Sequence, residues 1–361
     1  MLPGFVAQRL RQARPVRSVR TADGQAPAPA GSQWTAEVEI TPQIAADLIR
    51  EQFPDLGAHQ VTVLATGWDN TAFVVDSQWL FRFPRREIAV PGVRREITLL
   101  PRLAARLPLP IPDPQFVGQP STRYPWPFFG ARLLPGGELA DSGLADSRRA
   151  GAAASVGHFL RTLHDPGLVV LVDGSDLPVD PMRRASAPVR ARRAREVLDR
   201  LVGRRIWPTD SDVNRLLDQA ERAAAGAGSA DRVAGAAESD GTLPAGDGAS
   251  GRGPLVVSHG DLHVRHLLVD RDGSATGVID WGDLCLADPA ADLSIAYFGF
   301  CGKARADLLA AYGRPISAER ELAARACAIS LAVSLAEYAA DDGRAALLRE
   351  CVAGLGRATA T

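Results

Sequence analysis

The chain is nearly without lysine: of its 41 basic residues only Lys303 is not arginine. The bias reads first as the mark of a GC-rich genome. No G-x-x-x-x-G-K phosphate loop is present either. Surplus charge of either sign is also lacking. The formal net charge is −1, which gives no reason to expect nucleic acid as a partner. Cysteine is scarce: Cys285, Cys301, Cys327 and Cys351 are scattered and form no C-x-x-C pair. Neither a disulfide framework nor a zinc ribbon is therefore expected, and reduced thiols in a cytoplasmic setting are. An uninterrupted apolar run of about 18 residues is missing as well, so no membrane span is expected. Nothing indicates an obligate protein partner.

What is present is enough chain, 361 residues, for one two-lobed enzyme or two modest domains with a substantial core. Residues 1–33 are rich in Arg, Ala and Pro and lack the apolar stretch of a secretory signal. Their arginines suggest a transit peptide or a tether to an anionic surface, but a disordered extension is the better reading. Thr41-Pro42 then opens a helix, threonine as N-cap and proline at the first helical position. Strands are expected over 61–66, 71–76 and 79–83, the first two around the turn Gly67-Trp68-Asp69-Asn70. A helix follows over about 92–107, with Ile97, Leu100, Leu103 and Leu107 at helical spacing. Two more strands, near 115–118 and 128–134, precede Pro135-Gly136-Gly137.

Beyond that point the pattern turns helical. Val156, Phe159, Leu160 and Leu163 share one face of a helix over 149–164, and further helices are expected near 189–202, 210–225 and from 303 onward. Residues 221–253 are rich in Ala, Gly, Ser and Asp with almost no large apolar side chain, and read as a flexible insertion. No internal repeat is found.

The chemistry is concentrated in one segment, HGDLHVRHLLVDRDGSATGVID, from His259 to Asp280. Asp261 follows the apolar run 255–257, and 267–269 and 276–279 read as two short strands joined by an Asp-Gly turn. A hairpin brings its outer ends together, so Asp261 and His266 are expected to meet Asp280 as a metal-and-base cluster. Alone, Asp261 would more often be a turn residue and Asp280 a strand-end cap. Their joint presence favours chemistry.

HGDLHVRH followed by VIDW resembles the catalytic segment of the aminoglycoside phosphotransferase family, small-molecule kinases of protein-kinase-like fold. The resemblance covers most of 61–300 and is strongest over 259–292. It implies an α+β, two-lobed architecture, with a small β-rich N-lobe over 34–135 for the nucleotide. A larger, mainly helical C-lobe over 136–361 would handle catalysis and the acceptor, with 221–253 inserted in it. It further implies transfer of the γ-phosphate of ATP or GTP to a small-molecule hydroxyl with Mg2+. The acceptor would be an antibiotic of the aminoglycoside or macrolide type, or an ordinary metabolite, because fold and motif do not fix a substrate.

Residue by residue, the resemblance makes Asp261 the base that positions the acceptor hydroxyl and takes its proton. Asp280 would bridge Mg2+ to the phosphates. His266 stands where the family usually has asparagine, although macrolide phosphotransferases resemble this chain in carrying histidine, and it is a softer ligand than Mg2+ prefers. His263 falls where many kinases put a cation near the transferred phosphate, and Arg265 would supply the same electrostatics. Its plainer reading is a solvated loop arginine. His259 would anchor the loop. On the nucleotide side Arg82 is the strand-three cation, paired with Glu96 on the next helix; with no lysine nearby, arginine supplies the charge through a fork suited to phosphate. Gly67 and Asn70 belong to a turn that would cover the phosphates. Asp283 would support the metal loop or meet a cationic acceptor, and Asp288 and Asp292 would cap and anchor the next helix.

Two other classes compete. A metal-dependent hydrolase would use His259, Asp261, His263 and His266, but a segment running strand to loop to strand lacks the helical face such histidines share. A silent kinase-like binding module would have lost its base or its metal aspartate, and both Asp261 and Asp280 are present.

Overall fold

The computed structural model describes residues 36–67, 69–172, 177–227 and 254–360. The extension expected over 1–33, Trp68 in the expected turn, and the insertion beyond residue 227 lie outside the described residues. The chain divides into two compact units, Met1–Gly137 with Thr276–Gly282, and Glu138–Ala275 with Asp283–Thr361.

The first unit opens with helix α1 (Pro42–Gln52), where the Thr41 hydroxyl accepts the Ile44 amide at 3.2 Å, as the Thr-Pro signal anticipates. Strands β1 (Val61–Thr66), β2 (Asn70–Val75) and β3 (Trp79–Pro84) follow, then helix α2 (Val90–Ala104) and strands β4 (Pro114–Gly118) and β5 (Phe128–Arg132). They form one antiparallel sheet in the order β1-β2-β3-β5-β4. One sheet face buries Phe73, Phe81, Phe83 and Phe128 against Leu48 and Ile49 of α1. Gly130 is needed under that face, because a Cβ there would lie 2.5 Å from the Phe81 ring. Thr276–Gly282 counts with this unit: Val278 N–H donates to Pro110 O at 2.9 Å, and a Cβ on Gly92 would come within 2.9 Å of Gly282 O. Asp280 therefore sits with Arg82 and Glu96, whereas the sequence places it in the same lobe as Asp261.

The chain enters the second unit at the short strand β6 (Gly137–Glu138). Helices α3 (Ala150–Leu163), α4 (Pro166–Leu171), α5 (Ala187–Gly203) and α6 (Ser211–Ala227) follow. The apolar-poor stretch expected to be flexible from 221 is thus helical as far as Ala227, since its alanines are strong helix formers. Next along the chain come strands β7 (Val256–Ser258), β8 (Leu267–Val269), β9 (Ala275–Val278), which apart from Ala275 counts with the first unit, and β10 (Cys285–Ala287), with β7 and β10 paired antiparallel. Helices α7 (Ala290–Phe298), α8 (Gly302–Tyr312), α9 (Ala318–Asp341) and α10 (Ala345–Thr359) complete the unit.

Alanines at Ala323, Ala324, Ala328, Ala332 and Ala336 keep α9 slim enough for α5, α7 and α10 to pack closely around it. By length and composition α9 is apolar enough to cross a membrane, although Arg325 and Glu337 interrupt its apolar run. With 67% of that window buried inside the unit, its apolar surface serves the core. The four cysteines are free thiols.

Candidate active site

Two groups of the expected residues come together, one in each unit. In the first, β3 presents Arg82 and α2 presents Glu96, which is 1% exposed. Arg82 Nε stands 3.4 Å from Glu96 Oε2, and Arg82 Nη2 stands 2.8 Å from Asp280 Oδ1. Glu96 Oε1 accepts the backbone N–H of Trp281 at 3.3 Å. The buried Trp281 ring donates from Nε1 to Val278 O at 3.1 Å, which fixes the backbone on both sides of Asp280. Asp280 itself adopts φ 69°, a left-handed conformation uncommon outside glycine, and backbone of this kind concentrates at functional sites. Burial pushes the Glu96 carboxyl up to about 7, against the opposing pull of Arg82.

The turn containing Gly67 and Asn70 leads into β2. Gly67 N–H donates to Asn70 O at 2.9 Å, and Arg85 donates to Gly67 O at 2.8 Å. Arg86 donates to Asp69 Oδ1 at 2.8 Å, so two arginines unremarked in the sequence pin the turn from outside. Asn70 Oδ1 is a buried acceptor with no hydrogen-bond partner, a group whose burial is costly until something donates to it.

In the second unit β7 runs into the loop His259-Gly260-Asp261. Gly260 has φ +80°, and a Cβ there would fall 2.2 Å from Asp283 O, so only glycine fits. The buried Asp292 carboxylate accepts His259 N–H at 2.9 Å and Gly260 N–H at 3.1 Å. His164 Nε2 lies 3.2 Å from Asp292, and His164 Nδ1 lies 3.0 Å from the Tyr312 hydroxyl. Burial alone would raise the Asp292 carboxyl; the bonds from His164 and the His259 backbone outweigh it and hold the group below its ordinary value.

Around the Asp261 carboxylate stand Arg184 at 2.6 Å, His263 at 3.7 Å and His266 at 3.9 Å. Asp261, His263 and His266 carry ligand-type atoms all within 4.8 Å of one another, a grouping that suits a metal on distance alone. The hydrogen bonds discriminate among the rings. His263 Nδ1 accepts the Arg265 N–H at 3.3 Å, and His259 Nδ1 accepts the Asp261 N–H at 3.2 Å. A neutral imidazole that accepts at Nδ1 carries its proton on Nε2 and has no lone pair left for a metal. Burial, with the nearby His266, Arg265, Arg184 and His259, keeps His263 well below the usual imidazole range and hence neutral. His266 is the reverse case. Its Nδ1 donates to Asp261 O at 2.8 Å, so in the neutral ring the lone pair lies on Nε2.

Arg265, expected to serve the transferred phosphate, donates to Glu138 Oε2 at 3.1 Å, and its guanidinium carbon lies 5.6 Å from the Tyr338 ring centroid. The arginine on Asp261 is Arg184, which sequence reasoning missed. It comes from the segment after α4, where Asp180 N–H donates to Leu286 O at 2.8 Å and Leu286 N–H to Pro178 O at 2.9 Å, laying the chain along β10. Nothing in the arginine-rich run that leads into α5 marks Arg184 apart from its neighbours. Asp283, expected to support the metal loop or meet a cation, lies 3.4 Å from the same Arg184. Asp288, expected as a cap, accepts the Ala290 N–H at 2.9 Å and also pairs with Arg320 at 2.9 Å.

A sheet with an Arg–Glu–Asp set in one unit, and an aspartate loop anchored in helices in the other, define a kinase-like class of phosphotransferase. The chain belongs to the phosphotransferase enzyme family APH, whose model matches residues 60–325. It is similar in structure to the GDP and kanamycin complex of APH(2")-IIia, with a TM-score of 0.60 and 21% identity over 87% of this chain and 97% of that one. The GDP complex of wild-type aminoglycoside 2'-phosphotransferase-IIIa gives the same TM-score of 0.60 at 21% identity, over 89% and 99%. Macrolide 2'-phosphotransferase MphH from Brachybacterium faecium, as apoenzyme, gives 0.50 at 23% identity, over 86% and 97%. These likenesses establish the fold. In sequence, 54 residues are 44% identical to the uncharacterized protein YcbJ of Bacillus subtilis (strain 168), over 15% of this chain. The chain matches only 18% of the length of that relative.

Proposed function

We propose that this protein transfers the γ-phosphate of ATP or GTP to the hydroxyl of a small molecule. One observation carries the reading: Arg82 is held between the buried Glu96 and the strained, half-exposed Asp280. That arrangement readies a guanidinium fork for phosphate oxygens while its own charge is countered. Gly67 and Asn70 cover the phosphates, and the unpaired Asn70 oxygen awaits a donor.

Asp261 is the base. Its carboxylate accepts the proton of the acceptor hydroxyl as the new O–P bond forms, and the bond from the γ-phosphorus to the β–γ bridging oxygen breaks, leaving the nucleoside diphosphate. His263, neutral and carrying its proton on Nε2, is a hydrogen-bond donor beside that carboxylate rather than a cation. Arg265 acts through Glu138 and the loop, not on the phosphate.

The residues present fit Mg2+ in part. Asp280 offers the hard oxygen the ion prefers, and His266 offers a correctly poised but softer nitrogen. Asp280 would hold the metal, and the bound ion would neutralise charge on the phosphates. The hydrolase reading loses its ligands, because His259 and His263 are in the wrong tautomer for a metal.

Kanamycin and macrolides, the antibiotics of the similar structures, are the first acceptors to test. A screen of ATP and GTP consumption across aminoglycosides, macrolides and metabolite alcohols, with Mg2+ or Mn2+, should reveal turnover that Asp261→Asn abolishes. Silence across every acceptor, or turnover indifferent to Asp261→Asn, defeats the proposal.

A further inference from the structure

We infer that Arg184 reads an anionic group on the acceptor, so that the favoured substrate is a hydroxyl compound bearing a carboxylate or phosphate rather than a polyamine. The inference rests on Asp261 being the base, as proposed above. Arg184 is 8% exposed, and one of its terminal nitrogens, Nη2, contacts both Asp261 at 2.6 Å and Asp283 at 3.4 Å. Its Nε is buried with no hydrogen-bond partner. A guanidinium is a planar fork of five donors built to grip an oxyanion with two nitrogens at once. Here one prong is used and a buried donor beside it is left unmade, which is unfavourable until an acceptor oxygen arrives.

The backbone behind Arg184 is built to hold it there. Asp180 accepts the Arg184 N–H at 2.7 Å and the Ala185 N–H at 3.0 Å, while the buried Arg190 donates to Arg183 O at 3.2 Å and to Met182 O. Arg190 brings a second buried guanidinium beside the first, and its bonds in this segment are to carbonyls rather than to a carboxylate. Burial opposes the charge on Arg184, but Asp261, Cys327 and Asp283 outweigh it, so the group stays cationic.

The charge balance at Asp261 points the same way. A polyamine acceptor needs carboxylates that are not already countered, and Asp261 carries an arginine at 2.6 Å. An acceptor with its own anion relieves the competition. Its carboxylate or phosphate takes the Arg184 fork, and its hydroxyl donates to Asp261 Oδ1, a buried acceptor without a hydrogen-bond partner.

The test is calorimetric titration of the full-length chain, loaded with Mg2+ and a non-hydrolysable ATP analogue. Gluconate and glucitol share a carbon skeleton and differ in the carboxylate; glucose 6-phosphate supplies a phosphate, and kanamycin a polycation. The wild type should bind gluconate or glucose 6-phosphate at least about tenfold more tightly than glucitol, and which one leads identifies the anion. Arg184→Met should erase that preference while leaving nucleotide affinity in place, and Arg184→Lys should restore part of it. Equal binding of glucitol and the anions, a preference that survives Arg184→Met, tighter binding of kanamycin, or no binding of either anion overturns the inference. Kanamycin phosphorylation that Asp261→Asn abolishes would sink it and leave phosphotransfer standing. Failure of the nucleotide to bind at all would remove both.

Discussion

Arg82 stands between two acids of opposite exposure: Glu96 is 1% exposed, and the Asp280 side chain, 2.8 Å from Arg82 Nη2, is 45% exposed. The buried acid fixes the guanidinium in place, and the other keeps contact with solvent. On the proposed reading, removing Arg82 takes away the phosphate fork, and it also takes away the cation that opposes protonation of the buried Glu96.

Arg82→Met is expected to weaken ATP or GTP binding by about tenfold to a hundredfold, from the 1.5–3 kcal/mol typical of a charge-assisted hydrogen bond. Arg82→Lys keeps the charge but loses the fork, and should fall between. Fluorescent nucleotide titration measures both. Unchanged affinity in Arg82→Met would dissociate this arginine from the nucleotide.

Glu96 makes the first unit sensitive to pH. Its folded-state value of about 7 lies above the ordinary 4.5, so the folded protein holds the proton more tightly than the unfolded chain. The contribution is fully present below about pH 4.5 and is lost as pH rises through 7, a change on the order of 3 kcal/mol. Denaturant melts of the ligand-free protein should show this decline between the two pH values, and Glu96→Gln should flatten it. A wild-type curve parallel to that of Glu96→Gln over the window would refute the assignment.

The fold was largely legible because its signals are local. The Thr41-Pro42 cap, the alternation around β2 and β3 and the apolar stripe of α3 each report a nearby partner. The family resemblance of HGDLHVRH and VIDW named Asp261, His266 and Asp280 as candidates, and the resemblance of the small lobe named Arg82 and Glu96. What escaped depends on contacts far apart in sequence. Arg184 reaches Asp261 only because residues 178–180 lie along β10, and β10 has no turn signal of its own like the Asp-Gly that marks β8 and β9. Histidine tautomers were invisible as well, since hydrogen bonds to individual backbone groups set them.

Those tautomers make the next prediction. Imidazole nitrogen-15 spectra should show His266 protonated on Nδ1, and His259 and His263 on Nε2. His266→Asn should then keep phosphotransfer within about tenfold of the wild type, an amide oxygen replacing the nitrogen donor with one that Mg2+ prefers. A proton on His263 Nδ1 would return that ring to the metal, and an inactive His266→Asn protein would reject the exchange of ligands.

Asp292 anchors the His259-Gly260-Asp261 loop. It is wholly buried and accepts the backbone N–H groups of His259 and Gly260 as well as the proton of His164 Nε2. Asp292→Ala strands all three donors in the interior and is expected to cost about 3–5 kcal/mol of stability, the range for breaking a buried charged pair. Because its folded-state value lies below the ordinary 3.8, its contribution is present above that pH and is lost as pH falls through the folded value. Urea melts of wild type and Asp292→Asn between pH 7 and about pH 3 should therefore converge toward the acid end. If the gap between them stays constant with pH, the carboxylate charge is not what holds the loop. His164→Phe, which removes only the imidazole, separates the two contributions: it should lower stability less than Asp292→Ala and leave the His259 and Gly260 amides protected from hydrogen exchange.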